Sequence, residues 1–205
     1  MKKNKYIFWV SYSDLMTSLF FIMLVLFVLS IGYLKSTLDT TKEKLKKIEE
    51  LQTAVQELPK NYFQYQPEYK RFKLKKQILF NTGSSIIKRK YHNYLINVGK
   101  SIQVLINDLG KNKKYKNMDI KYLVVIEGMA SKDRWQGNFE LSYKRALSLY
   151  KLWKNNGIVF NPKICEIHIS GSGIDGIREY SGKMEKKNQQ FLIHIIPKIG
   201  KIENL

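Results

Sequence analysis

A chain of 205 residues has room for one ordinary domain plus appendages, so one compact core is the working limit. Its 36 Lys+Arg against 17 Asp+Glu give a net charge of +19, which favours an acidic partner: anionic lipid, a cell-wall polymer or nucleic acid, unless the excess only solvates the surface. A single cysteine, Cys165, excludes an intrachain disulfide; its alternation with Ile167 and Ile169 reads as a small buried hydrophobe in a strand.

From Tyr6 to Leu34 the only formal charge is Asp14, and Leu15 to Tyr33 is almost wholly apolar. That length meets the requirement of about 20 residues for a bilayer-spanning helix and exceeds the ~7–15-residue apolar core of a signal peptide, so a retained anchor is expected over 6–34. Lys2, Lys3 and Lys5 argue for a cytoplasmic tail over 1–5, although Lys35, Lys42, Lys44, Lys46 and Lys47 blunt that signal. Tyr6, Phe8, Trp9, Tyr12 and Tyr33 read as interfacial anchors.

A helical linker, expected over 35–68, keeps Leu45, Ile48, Leu51, Val55 and Leu58 at helical spacing. Two readings stand: a short coiled-coil seam between two copies, or a lone amphipathic helix. Pro59 and Pro67 break the helix.

The remainder alternates strand and helix patterns. Strands are expected near Phe72–Phe80, Ile120–Glu127, Cys165–Ser170 and Gln190–Ile196, and helices near Tyr91–Leu109 and Phe139–Asn155. This predicts an α/β layer fold over 69–198, with two helices packed on a small mixed sheet of about four strands and a tail over 199–205. In the second helix Leu141, Tyr143, Ala146, Leu149, Tyr150 and Trp153 read as core.

Asp14 carries the chemistry. An ionisable residue inside a span costs at least about 2.5–3.5 kcal/mol on insertion scales, so it needs a reason. Ser11, Asp14, Thr17 and Ser18 share one helix face and can line a water-filled path. The plainer reading places Asp14 one to two turns inside Phe8 and Trp9, where it only reaches headgroup water.

The run Phe8-Trp9-Val10-Ser11-Tyr12-Ser13-Asp14-Leu15-Met16-Thr17-Ser18, followed by a long apolar stretch, resembles the B subunits of ion-driven rotary motors, the flagellar stator family and its relatives. The resemblance implies that Asp14 carries the ion, with Ser11, Thr17 and Ser18 lining its path. It also implies an inner-membrane protein with a cytoplasmic N-terminus and a periplasmic domain, and a homodimer inside a pentamer of polytopic A subunits. The proton is the default ion; a lone carboxylate with hydroxyl neighbours leaves sodium open. The run and the short linker look closer to the B subunit of Zorya-type anti-phage defence than to flagellar or gliding stators.

The part of the chain beginning Ile78-Leu79-Phe80-Asn81-Thr82-Gly83-Ser84-Ser85 resembles the OmpA-like domain with which such subunits hold peptidoglycan. Asn138-Phe139-Glu140-Leu141-Ser142-Tyr143-Lys144-Arg145-Ala146 is similar to the family's Asn-x-x-Leu-Ser-x-x-Arg-Ala, which implies that Arg145 contacts a diaminopimelate carboxylate, with Asn138 nearby. A guanidinium suits bidentate recognition of that group. Two departures stand out: the family's Gly-His-Thr-Asp is here Gly128-Met129-Ala130-Ser131, and its Asn-Arg-Arg-Val is here Asn188-Gln189-Gln190-Phe191. Ser131 and Gln189 thus stand at wall-binding positions without the family's charges. Asp133 either substitutes for the missing acid or does not, and Arg145 is either a ligand or a helix residue paired with Glu140 or Asp133.

Other motifs point away from catalysis. Gly171-Ser172-Gly173-Ile174-Asp175-Gly176 fits a dinucleotide fingerprint but lacks the βαβ unit and acidic ribose ligand that must follow, so a turn is expected. His92, His168 and His194 lack metal-ligand spacing, and no Gly-x-Ser-x-Gly elbow is present, so neither an enzyme nor a metal or cofactor is expected. Basic clusters at Lys70-Arg71, Lys75-Lys76 and Lys111 to Lys116 are read as meeting lipid headgroups or wall polymers rather than nucleic acid.

Overall fold

The structure is a computed structural model that describes residues 2–112, 120–133 and 135–199. Most of the Lys111 to Lys116 cluster, and the tail beyond residue 199, lie outside the described residues. Two compact units divide the chain, Met1–Glu49 and Glu50–Leu205.

The first unit belongs to one helix, α1 (Lys2–Val55). It contains a stretch long and apolar enough to cross a membrane. At 1.5 Å per residue, Leu15 to Tyr33 rises about 27 Å, close to the ~30 Å of a bilayer's hydrocarbon core. Its large apolar side chains are exposed, from Leu15 at 61% through Phe20 and Phe27 at 65% to Tyr33 at 77%. A surface this apolar requires lipid or protein to cover it.

The second unit is an α/β layer. Its elements are β1 (Phe63–Gln66), β2 (Arg71–Leu74), α2 (His92–Lys111), β3 (Ile120–Met129), α3 (Asn138–Asn155), β4 (Cys165–Gly173) and β5 (Phe191–Ile199), with 3-10 turns at Pro67–Tyr69, Arg89–Tyr91 and Gly182–Asn188. The sheet order is β1-β2-β5-β3-β4; β3 and β4 run parallel and every other pair is antiparallel. This is the expected fold class, with five strands where the sequence suggested about four. The added strand, β1, forms because the chain reverses through the turn at Pro67–Tyr69, with Lys70 left-handed at φ 48°, so that Phe63 pairs with Leu74.

Period-two alternation sorts the strands into two faces. Phe72, Tyr122, Val124, Ile126, Ile193, Ile195 and Cys165 pack against Leu95, Val98, Ile102 and Ile106 of α2 and Ala146, Leu149 and Trp153 of α3. Burial pushes the Cys165 thiol up to about 12, consistent with a packing role. Leu51, Val55 and Leu58 join this core, so three of the five seam positions are spent inside the unit.

Three local readings are corrected. The strand expected over Phe72–Phe80 ends at Leu74. Ile78 and Phe80 remain buried at 1% and 9%, so their alternation reports burial without ladder pairing. Tyr143, expected in the core, is 44% exposed, because it lies across the helix from the packed face; Ser142 and Arg145 are buried instead. The glycine-rich run is strand as far as Gly173, and a turn follows in which Asp175 donates its N–H to the Ser172 carbonyl at 3.0 Å.

Two glycines set how closely α3 approaches the sheet. A Cβ at Gly128 would lie 2.1 Å from the Ser142 carbonyl oxygen, and one at Gly171 would lie 2.4 Å from the Tyr143 nitrogen. Only a bare backbone permits that contact, and it seats the first two turns of α3 against the ends of β3 and β4.

Candidate functional site

Where α3 meets the sheet end, a cavity of about 610 Å³ opens. The start of α3 contributes Asn138, Leu141 and Arg145; the β3–α3 loop contributes Ser131, Asp133 and Trp135. Leu79, Phe80, Thr82, Gly83 and Lys88 come from the segment before α2, and Lys186 and Gln189 from the segment before β5. All five residues that the resemblance marks for wall binding, Arg145, Asp133, Asn138, Ser131 and Gln189, line this one cavity.

Arg145 is 2% exposed. Its guanidinium carbon sits 4.5 Å from the Phe80 ring centroid, and its Nε donates to the Ser84 carbonyl at 3.2 Å. Nη1 makes a longer contact, 3.4 Å, to the Met129 carbonyl. Burial pushes its pKa down to about 10, opposed by the negative charge of Asp133, so the side chain remains cationic at neutral pH. A buried cation lining a cavity attracts a carboxylate strongly, because the low dielectric weakens competition from water.

Asp133 is held in place. Its Oδ1 accepts from the Trp135 N–H at 3.0 Å and from Asn138 Nδ2 at 2.6 Å, and Asn138 Nδ2 also donates to the Trp135 carbonyl at 2.8 Å. Asn138 is 3% exposed at the first position of α3, so the helix start and the loop carboxylate are fastened together. The Glu140 alternative for Arg145 is not what forms: Glu140 pairs with Lys144 at 2.6 Å, on the exposed side of α3. The two departures meet, since Gln189 Nε2 donates to Ser131 Oγ at 2.7 Å.

The loop is braced from behind by residues that sequence reading missed. Arg178 pairs with Glu185 and donates from Nη2 to the Ala130 carbonyl at 2.8 Å, while Glu185 accepts the Lys132 N–H at 2.8 Å. Burial raises the Glu185 pKa, but its hydrogen bonds from Arg178 and Lys132 outweigh that and hold it below the usual carboxylate range. Lys88, Lys186 and Trp135 were also missed as cavity residues. No motif marks them, whereas the Ile78 to Ser85 run beside them is marked by its resemblance.

On α1, Thr17 Oγ1 donates to the Ser13 carbonyl at 2.7 Å and Ser18 Oγ to the Asp14 carbonyl at 2.9 Å. These bonds to the preceding turn spend the hydroxyl protons on the helix and leave the oxygens as acceptors. Ser11 and Asp14 lie on the same exposed helix. The cavity residues and the Asp14 group lie in different units.

Solved structures similar to this chain include the periplasmic domain of Helicobacter pylori MotB, at 17% identity and a TM-score of 0.43, covering 65% of this chain and 86% of that one. The OmpA-like domain of FopA1 from Francisella tularensis matches at 16% identity and a TM-score of 0.40, covering 68% and 82%. The peptidoglycan-associated lipoprotein from Burkholderia pseudomallei matches at 11% identity and a TM-score of 0.37, covering 59% and 88%. No family model and no curated protein matches the chain.

Proposed function

We propose that this chain is the B subunit of an inner-membrane ion-driven motor, in which Asp14 carries protons and the second unit holds peptidoglycan. The observation that carries the reading is the convergence of Arg145, Asp133 and Asn138 in one cavity, on a chain whose apolar N-terminal helix bears Asp14 as its lone charge from Tyr6 to Leu34. A cation for a carboxylate and an anchored carboxylate for an ammonium together suit a zwitterionic amino acid such as diaminopimelate.

Two copies inside a ring of polytopic partners would each load and release a proton at Asp14, with Ser11, Thr17 and Ser18 lining the path. Each charge crossing the membrane releases about 2.3 kcal/mol per 100 mV, enough to bias one ring's rotation against another. Torque needs a fixed point, and the wall-holding unit supplies it from the periplasmic side. The similarity of the Phe8 to Ser18 run supports a Zorya-type defence machine over a flagellar or gliding motor.

The test is ion flux. Co-expressed with its polytopic neighbours, the wild-type chain is expected to conduct protons and Asp14→Asn to conduct none while still co-purifying with the ring. Undiminished flux in Asp14→Asn sinks the motor reading. A wild-type chain that pulls down peptidoglycan but recovers no ring partner leaves a membrane-tethered wall-binding protein.

A further inference from the structure

The carboxylate-binding cavity accounts for Arg145 and Asp133 but not for the aromatic ring beside them. Trp135 lines the same cavity and is 53% exposed. Its position is fixed, because its N–H donates to Asp133 Oδ1 at 3.0 Å and its carbonyl accepts from Asn138 Nδ2 at 2.8 Å. The six-membered ring lies so close to Gly137 that a Cβ there would sit 2.4 Å from Cζ2. A half-exposed indole restrained at its backbone on both sides and against a glycine presents an accessible aromatic face, whereas the Phe80 ring in the same cavity is buried under the Arg145 guanidinium. An aromatic ring that is apolar in body and polar at one edge is suited to a ligand that is itself amphipathic.

We infer that Trp135 is a stacking platform for a sugar ring of the wall glycan whose peptide the cavity holds. One face of a pyranose is a patch of C–H bonds with partial positive charge, and the face of an indole is negative. Thr82 and Lys186, which line the same cavity, supply groups that hydrogen-bond sugar hydroxyls. The inference rests on the wall-binding reading and adds to it a second component of the ligand, recognised by different chemistry.

The experiment uses the full chain in detergent and two probes: a diaminopimelate-containing stem peptide, and the same peptide joined to its disaccharide. By calorimetry the wild type is expected to bind the disaccharide-linked peptide about 5- to 10-fold more tightly than the free peptide. Trp135→Ala removes that difference, and Trp135→Phe, which keeps a ring, restores most of it. Arg145→Lys weakens both probes alike. The emission attributable to Trp135, taken as wild type minus Trp135→Phe, shifts with the disaccharide-linked probe only. If Trp135→Ala weakens both probes equally, or neither, the platform is wrong and the wall reading stands. If the wild type binds neither probe, the wall reading falls and takes the platform with it.

Discussion

Gln189 donates from Nε2 to Ser131 Oγ at 2.7 Å, joining positions 58 residues apart. These are the two places where the sequence departs from the charged wall-binding pattern it otherwise resembles. A neutral hydrogen-bonded pair therefore stands where that pattern carries an acid and a base, and the cavity's remaining acid is Asp133. The changes are coupled in space, because the two side chains bond to each other.

That coupling predicts a double-mutant cycle. Ser131→Asp alone adds a carboxylate beside Asp133 and is expected to lower stability, as is Gln189→Arg alone beside Lys186. The two together should interact favourably by about 0.5–3 kcal/mol. Chemical denaturation of the four proteins measures this, and additive effects would show that the pair is not coupled.

Arg145 is packed into the fold and, on the proposed function, also contacts the ligand; two substitutions separate these roles. Arg145→Ala removes the hydrogen bond to Ser84 and the contact with Phe80, and is expected to destabilise by about 1–3 kcal/mol. Arg145→Lys keeps the charge but loses the planar fork, so peptidoglycan pull-down should fall about tenfold or more with a smaller stability loss. Equal pull-down by Arg145→Lys and wild type, in sedimentation with purified sacculi, would remove Arg145 from the ligand contacts.

Gly128→Ala is expected to be severe. Its Cβ would lie 2.1 Å from the Ser142 carbonyl oxygen, which is backbone and cannot swing away. Displacing α3 costs about 1–3 kcal/mol, or several degrees in Tm, and opens the cavity at Arg145.

The pH dependence follows from Glu179 and Glu185. Burial raises both pKa values, but hydrogen bonds, chiefly from Lys73 to Glu179 and from Arg178 to Glu185, pull them below the ordinary carboxylate value. A depressed folded-state pKa stabilises the protein above the unfolded value of about 4.3, and that stabilisation is lost as pH falls through the folded value. Melting temperature is thus expected to be flat near neutrality on this account and to fall below about pH 4.5. In Glu179→Gln/Glu185→Gln the neutral-pH value should be lower and the acid decline shallower. An unchanged acid decline would assign it to other groups.

Local pattern made much of this protein legible. The apolar run with Asp14 in it, the strand and helix order, and the positions of Asn138 and Arg145 follow from spacing and motif, because hydropathy and helical periodicity are properties of neighbouring residues. The fate of Arg145 was not local. Glu140 stands five positions before it on α3, outside the three- or four-residue spacing of a helical ion pair, and the close approach permitted by Gly128 and Gly171 brings Arg145 and Ser142 into the interior.

What the chain order alone determined was the succession of the two long helices and the main strands of the α/β layer, and which side chains carry charge. The tertiary structure decided that the sheet has a fifth strand, that Ser131 meets Gln189, and that Arg178 and Glu185 brace the loop carrying Asp133. The fifth strand is a hairpin with its neighbour, whereas the Ser131–Gln189 bond and the bonds from Arg178 and Glu185 to the loop join residues 48 to 58 apart. Such bonds leave no periodic trace, because the free energy that makes them comes from closing the fold around them.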